Sequence, residues 1–381
     1  MAPSTVDAQT ITTHYAQQPT LIVPELEPIT EGEVVPFEYE VHQGQMPEQS
    51  YAPGYDVSPD INSFPAIQAP QPCYWIASSR GLPQNAAMNR CRNLDYFHRL
   101  SDGCLQRTNL PTLKSQIIPG VPVCIFIHGA FVDAESHQYE CARTYNWIRQ
   151  AAPHLPLQVI FYTWPSDASH VLLTPLVVNQ KGIWAANNAF YLADLIGQLP
   201  PECPVCLVGH SHGARAAVAT MHLVGGGQID GYSYPYNTGA HRRYRVVMAA
   251  AAFDRHWLNP GQKYDHAMSC LEGIVNLQNR GDWALNLYPL RRPLSRKAIG
   301  ATGFTYWDRS HLGNASCKAI DLDVTYYVGL SHTWPHYYAE PTIARAIVPT
   351  RTSSTNAERI TPRHGSGRVR RSSRNRDEGR R

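Results

Sequence analysis

The sequence predicts an α/β fold, with a mostly parallel central sheet and helices on both faces. Two observations carry this. Short apolar runs recur along the chain, and several are followed by stretches whose apolar residues repeat at helical spacing. The clearest run, Val121-Pro-Val-Cys-Ile-Phe-Ile127, is apolar without alternation, as a strand buried on both faces should be. Strands alternating with helices imply a parallel sheet covered on both sides, and such sheets carry their sites at the carboxyl ends of the strands.

The elements follow in order. Residues 1–70 hold ten Pro, ten acidic residues and no Lys or Arg. Such a composition cannot bury enough apolar surface to fold, so this stretch is expected to be a disordered acidic arm. Structure is expected to begin with a strand at 72–78, centred on Tyr74, Trp75 and Ile76. Residues 94–100 read as a short helix. Strands are expected at 121–127, 157–163, 204–208, 244–250, 273–278 and 319–323. Cys141, Tyr145, Ile148 and Ala152 stripe a helix over 134–152. Ala185, Ala189, Leu192, Ile196 and Leu199 stripe another, stopped by Pro200-Pro201. An Ala-rich helix begins at Ala214, and a last helix fits 337–347. Residues 71–350 are thus one domain, with a cap or insertion expected near 286–316. Residues 351–381 carry ten Arg against three acids and read as a disordered Arg/Ser-rich tail.

Composition narrows the function classes. No run approaches the ~18 apolar residues of a membrane span. No basic then apolar leader of a secretory signal is recognisable at the start. The nine Cys are scattered, and Cys124 and Cys206 sit inside apolar runs. That fits reduced core thiols and a cytoplasmic location. Cys203-Pro-Val-Cys206 lacks the second pair a zinc site would need. The Arg-rich tail could meet an anionic surface, but it has no interleaved aromatics, which argues against specific nucleic-acid binding.

The chemistry centres on Gly209-His-Ser-His-Gly213. His210 and His212 could be a metal pair, but Arg215 follows where further ligands would be needed, so no metal is expected. With a strand before it and a helix after it, the G-x-S-x-G stretch instead predicts a tight turn presenting Ser211 as a nucleophile. Gly209 and Gly213 would let strand and helix approach closely. A serine hydroxyl needs a base, an orienting acid and an oxyanion hole. The base is expected in the last loop, where His332 is preferred and His336 is the alternative. The acid is expected after a late strand, where Asp282 is preferred and Asp254 is the alternative. The oxyanion donors are expected to be the backbone N–H of His212 and that of Ala130 or Phe131, in the loop His128-Gly-Ala-Phe131.

These motifs resemble the α/β-hydrolase superfamily, and within it a bacterial branch labelled only as hydrolases of unknown function. The resemblance covers about residues 120–350 and rests on five pieces of sequence. They are His128-Gly129, Val159-Ile-Phe-Tyr-Thr-Trp-Pro165, Gly209-His-Ser-His-Gly-Ala214, Asn279-Arg-Gly-Asp-Trp-Ala-Leu285 and Ser331-His332. It implies a serine hydrolase with no cofactor, acting on a small acyl substrate through an acyl-enzyme. The alternative is a non-catalytic binding protein of the same fold. Trp164, Trp283 and Trp334 sit near strand ends, either lining an aromatic pocket or packing its rim. Arg291, Arg292, Arg296 and Lys297 would make the 286–316 segment basic, which reads as a solvated basic loop in preference to a cap that favours anionic substrates.

Overall fold

Nine strands pair into one sheet in a computed structural model that describes residues 73–86, 93–167, 175–235, 242–291 and 293–347. All of these belong to the unit Ala66–Arg381. The two charged arms expected at the termini lie outside the described residues. The sheet strands are β1 (Tyr74–Ser78), β2 (Asp95–Arg99), β3 (Leu105–Thr108), β4 (Val123–Ile127), β5 (Gln158–Thr163) and β6 (Val205–His210). A two-residue hairpin, β7 (Gln228–Ile229) and β8 (Tyr232–Ser233), stands apart, and β9 (Tyr244–Ala249), β10 (Leu271–Gln278) and β11 (Ala319–Asp323) complete the sheet. The order is β11-β10-β9-β6-β4-β5-β1-β2-β3. Every pairing from β11 to β1 is parallel; β2 and β3 add an antiparallel edge.

The helices are α1 (Leu110–Gln116), α2 (Ala134–Ala151), α3 (Pro175–Asn187), α4 (Ala189–Gln198), α5 (His212–Val224) and α6 (Ala267–Cys270). The later ones are short: α7 (Trp283–Leu287), α8 (Ile299–Thr302), α9 (Tyr306–Leu312), α10 (Thr325–Val328), α11 (Trp334–Tyr338) and α12 (Pro341–Ile347). Strand side chains alternate between two apolar layers. On β4, Val123, Ile125 and Ile127 join the layer that holds α4 and α5. Cys124 and Phe126 point to the other layer, with Trp147 of α2 and Trp334 and Tyr337 of α11. Both faces of the central strands are therefore covered, as their unbroken apolar runs require.

The sheet has one topological switch. From β4 the chain moves to β5 on one side, then returns to β6 on the other and continues outward to β11. The carboxyl ends of β4 and β6 flank the crevice this creates, where open α/β sheets bind their ligands.

Three expectations need correction. Residues 94–100 are not a helix but contain β2, whose Tyr96 enters one apolar layer while Phe97 packs on the other. His98 stacks on Trp75 with ring centroids 4.0 Å apart. The helix striped by Ala185 to Leu199 is two helices, parted at Asn188. That buried amide accepts from Ser79 Oγ at 2.6 Å and from Tyr162 OH at 2.8 Å, so it serves the sheet instead of the helix surface. The last helix is likewise two, with Pro341 opening the second.

Candidate active site

The turn after β6 is tighter than the five residues its motif suggests. The strand runs through His210 and α5 starts at His212, so Ser211 alone makes the corner. Its backbone sits at φ 52°, ψ −118°, a region that costs an L residue about 1–3 kcal/mol. Neighbours hold it there: Ser211 N–H donates to Ala249 O at 2.8 Å, and Ser211 O accepts from Ala214 N–H at 3.1 Å and Ala252 N–H at 3.2 Å. Gly209 and Gly213 are needed for space. A Cβ on Gly209 would lie 2.5 Å from Ala214 Cα, and one on Gly213 would meet the carbonyls of Ile127 and His128.

Ser211 Oγ lies 2.9 Å from His332 Nε2, and His332 Nδ1 lies 2.8 Å from Asp282 Oδ2. A carboxylate can only accept, so Nδ1 carries the proton and Nε2 is left to accept from the serine hydroxyl. The three side chains come from three separate loops, after β6, β10 and β11. Asp282 is fully buried and also caps α7, its Oδ1 accepting from Leu285 N–H at 3.0 Å. Ser211 is buried and the His332 side chain is one-fifth exposed.

Asp254 is placed elsewhere. It is buried in an ion pair with Arg291 and also accepts from Arg296 N–H at 3.3 Å. Arg291 in turn donates to Asn179 Oδ1 at 3.1 Å, which ties this pair to α3. His336 is also placed elsewhere, its Nδ1 bonded to Ser331 Oγ at 2.8 Å and Thr333 Oγ1 at 3.0 Å.

Two supporting residues were not singled out for these roles from the sequence. His210 Nε2–H donates to His332 O at 2.7 Å. Burial, then the neighbouring His332, push the His210 pKa down to about 3, so the ring is neutral at ordinary pH. Asn279 Nδ2 donates to Gly329 O at 2.9 Å and Ser331 O at 3.2 Å, fixing the loop that bears His332. Asn279 stands directly after β10, and that position at a strand's carboxyl end was its one visible signal.

The loop after β4 faces the same corner. A Cβ on Gly129 would lie 2.8 Å from His210 Nδ1 and 3.1 Å from Ser211 Cβ, so a side chain there would push on both. His128 Nε2 accepts from Trp164 N–H at 3.2 Å, which puts its proton on Nδ1, the donor to Gly129 O at 2.8 Å. The Gly129–Ala130 peptide is thereby anchored by its carbonyl, and in a trans peptide the Ala130 N–H points the opposite way. Phe131 N–H is already engaged by Ser166 O at 2.7 Å. Of the two loop donors expected, Ala130 is the one without that commitment.

His210 and His212 diverge across the corner. His210 packs against Trp334 and Tyr337. His212 lies under α3, where a Cβ on Gly182 would be 3.1 Å from its Cε1. Burial and the nearby Arg215 and Arg291 lower the His212 pKa to about 3. Among the described residues no cluster of three or more His, Cys, Asp or Glu could hold a metal ion. Cys203 and Cys206 fall on opposite layers of the sheet and do not converge.

The three tryptophans separate. Trp164 is fully buried, its Nε1–H donating to His128 O at 3.0 Å, and Trp334 is buried with Nε1–H on Thr144 Oγ1 at 2.8 Å. Trp283 is exposed. Of the four cations that make the 286–316 segment basic, Arg291 is buried on Asp254, Arg296 and Lys297 are exposed, and Arg292 lies outside the described residues.

No helix among the described residues is long and apolar enough to cross a membrane. No protein-family model and no curated protein matches the chain. Among solved structures, esterase B from Lactobacillus rhamnosis, inhibited by a tributyrin phosphonate, is similar at a TM-score of 0.33 and 11% identity, over 72% of this chain and 83% of that one.

Proposed function

We propose that the chain is a serine hydrolase of the α/β-hydrolase type that cleaves an ester or related acyl bond. The observation that carries this is the relay of two hydrogen bonds, Ser211 Oγ to His332 Nε2 and His332 Nδ1 to Asp282 Oδ2. It joins three loops at the sheet's switch point, with the serine on a strained corner. Buried polar groups must be paired, but pairing alone does not require a strained serine at a helix N-terminus.

As Ser211 Oγ attacks the acyl carbon, its proton passes to His332 Nε2. Asp282 holds the imidazole in the correct tautomer and stabilises its cation. The backbone N–H groups of His212 and Ala130 receive the oxyanion; losing one such donor typically costs ~10²–10³ in rate. The imidazolium then protonates the leaving oxygen. Water, deprotonated by the same Nε2, attacks the acyl-enzyme and releases the acid. His210 and Asn279 act as positioning residues, because both hold the backbone that carries His332.

A fluorophosphonate probe tests this directly. Wild type is expected to label, the folded Ser211→Ala variant to lose all labelling, and His332→Ala to label at least ~10²-fold more slowly. A folded wild type that no probe of any size labels would leave the binding-protein alternative in place.

A further inference from the structure

The outer face of α7 and the turn beyond it is apolar where water would favour charge. Leu285 and Tyr288 point inward, while Trp283, Leu287 and Leu290 point out at near-helical spacing and are more than half exposed. Leu294 is 97% exposed and held at φ 59°, a left-handed backbone unfavourable for a branched side chain. Leu330 extends the patch, its carbonyl accepting from Trp283 N–H at 3.3 Å.

This patch adjoins the catalytic relay. Trp283 follows Asp282 directly, and Leu330 precedes His332 by two residues. The segment that bears most of the patch is one-sided in charge. Residues 283–300 contain no Asp or Glu, and Arg296 and Lys297, two and three residues after Leu294, are exposed. An exposed apolar face with cations close by in the chain matches a surface that is apolar below and anionic above.

We propose that this rim is a docking surface for anionic lipid, which makes esters presented at a lipid surface the substrate class of the site. Trp283, Leu287, Leu290 and Leu294 enter the acyl boundary, while Arg296 and Lys297 meet the headgroups. The substrate part rests on the serine-hydrolase reading; the docking part does not.

The test uses the full chain and vesicles of phosphatidylcholine with a minority of phosphatidylglycerol. Flotation is compared for Ser211→Ala, for the triple variant Leu287→Ser/Leu290→Ser/Leu294→Ser, and for Arg296→Glu/Lys297→Glu. All keep the Arg-rich tail, so charge attraction by the tail is common to them. Ser211→Ala is expected to bind like wild type, the triple variant at least ~10-fold more weakly. The charge-reversed variant is expected to lose binding on anionic vesicles while keeping weak binding on pure phosphatidylcholine. The triple variant is expected to hydrolyse a short water-soluble ester at the wild-type rate and a vesicle-borne ester at least ~10-fold more slowly. A wild type that does not float, a triple variant that floats equally, or equal loss on both esters overturns the proposal. So does a patch whose removal only dissociates a dimer, since the occupant is then a second copy. A wild type that floats but never labels with the fluorophosphonate overturns the hydrolase reading and leaves the docking surface standing. One that labels but never floats does the reverse.

Discussion

The loops after β9 and β10 make an instructive pair. They leave adjacent parallel strands at the same edge of the sheet, and each bears one buried aspartate. Asp254 meets the guanidinium of Arg291, while Asp282 meets the ring of His332. A guanidinium is a permanent cation, so Asp254 is committed to a fixed ion pair that ties its loop to α3. An imidazole changes charge near neutrality, so the carboxylate beside it can hold a tautomer and steady a transient cation. Position at a strand end admits both aspartates; the partner distinguishes them.

The sharpest way to break this contrast is Asp282→Asn. The asparagine Oδ1 can still accept from Leu285 N–H and keep the cap on α7. Its amide, however, would donate toward His332 Nδ1, shifting the proton to Nε2, where it faces Ser211 Oγ–H. In the proposed mechanism kcat is expected to fall ~10⁴-fold with the fold intact. Steady-state kinetics on an activated ester together with a thermal melt would check this. Wild-type turnover in the variant would remove Asp282 from the relay.

Asp254→Asn is expected to do the opposite. It strands the buried Arg291 cation, which typically costs about 3–5 kcal/mol of stability, while turnover per folded molecule stays near wild type. Adding Arg291→Met should recover much of the loss, because a buried pair replaced together leaves no uncompensated charge. Urea unfolding of the single and double variants decides this. A stable Asp254→Asn that is catalytically dead would invert the comparison.

Much of this was legible before any coordinates. Continuous apolar runs located the central parallel strands β4, β5 and β6 to within a few residues, because burial on both faces leaves that mark. The serine corner was legible through Gly209 and Gly213, since few other sequences let a strand and a helix approach so closely. Local spacing failed where tertiary contacts override it. Residues 94–100 lack a decisive period, and β2 forms because an antiparallel partner, β1, lies beside it. Asn188 interrupts an apolar stripe at a position where only the fold shows Ser79 and Tyr162 waiting for its carbonyl. Strand order favoured Asp282 over Asp254 in the sequence, but the partner that commits Asp254 could not be read there, because Arg291 lies 37 residues away and no spacing rule links them.

The smallest effect concerns how the proposed base is held. His332 is fixed through its ring by Asp282 and through its carbonyl by His210. Replacing His210 with Phe keeps a ring beside Trp334 and Tyr337 but leaves the carbonyl of His332 without that donor. Losing a buried donor costs about 1–3 kcal/mol, and here part of it is expected to appear as poorer alignment of Nε2 with Ser211 Oγ. We expect kcat to fall ~10-fold with KM nearly unchanged, since His210 touches the base and not the acyl carbon. Burial and the neighbouring His332 push the His210 pKa down to about 3, so its support is the same from mildly acid to neutral pH. The variant should therefore lower the pH–rate profile uniformly without moving its acid limb. His210→Gln, which can still offer an N–H to the same carbonyl, should restore most of the rate. If Phe and Gln behave alike, or if the acid limb moves, the bond from His210 is packing and does not position the base.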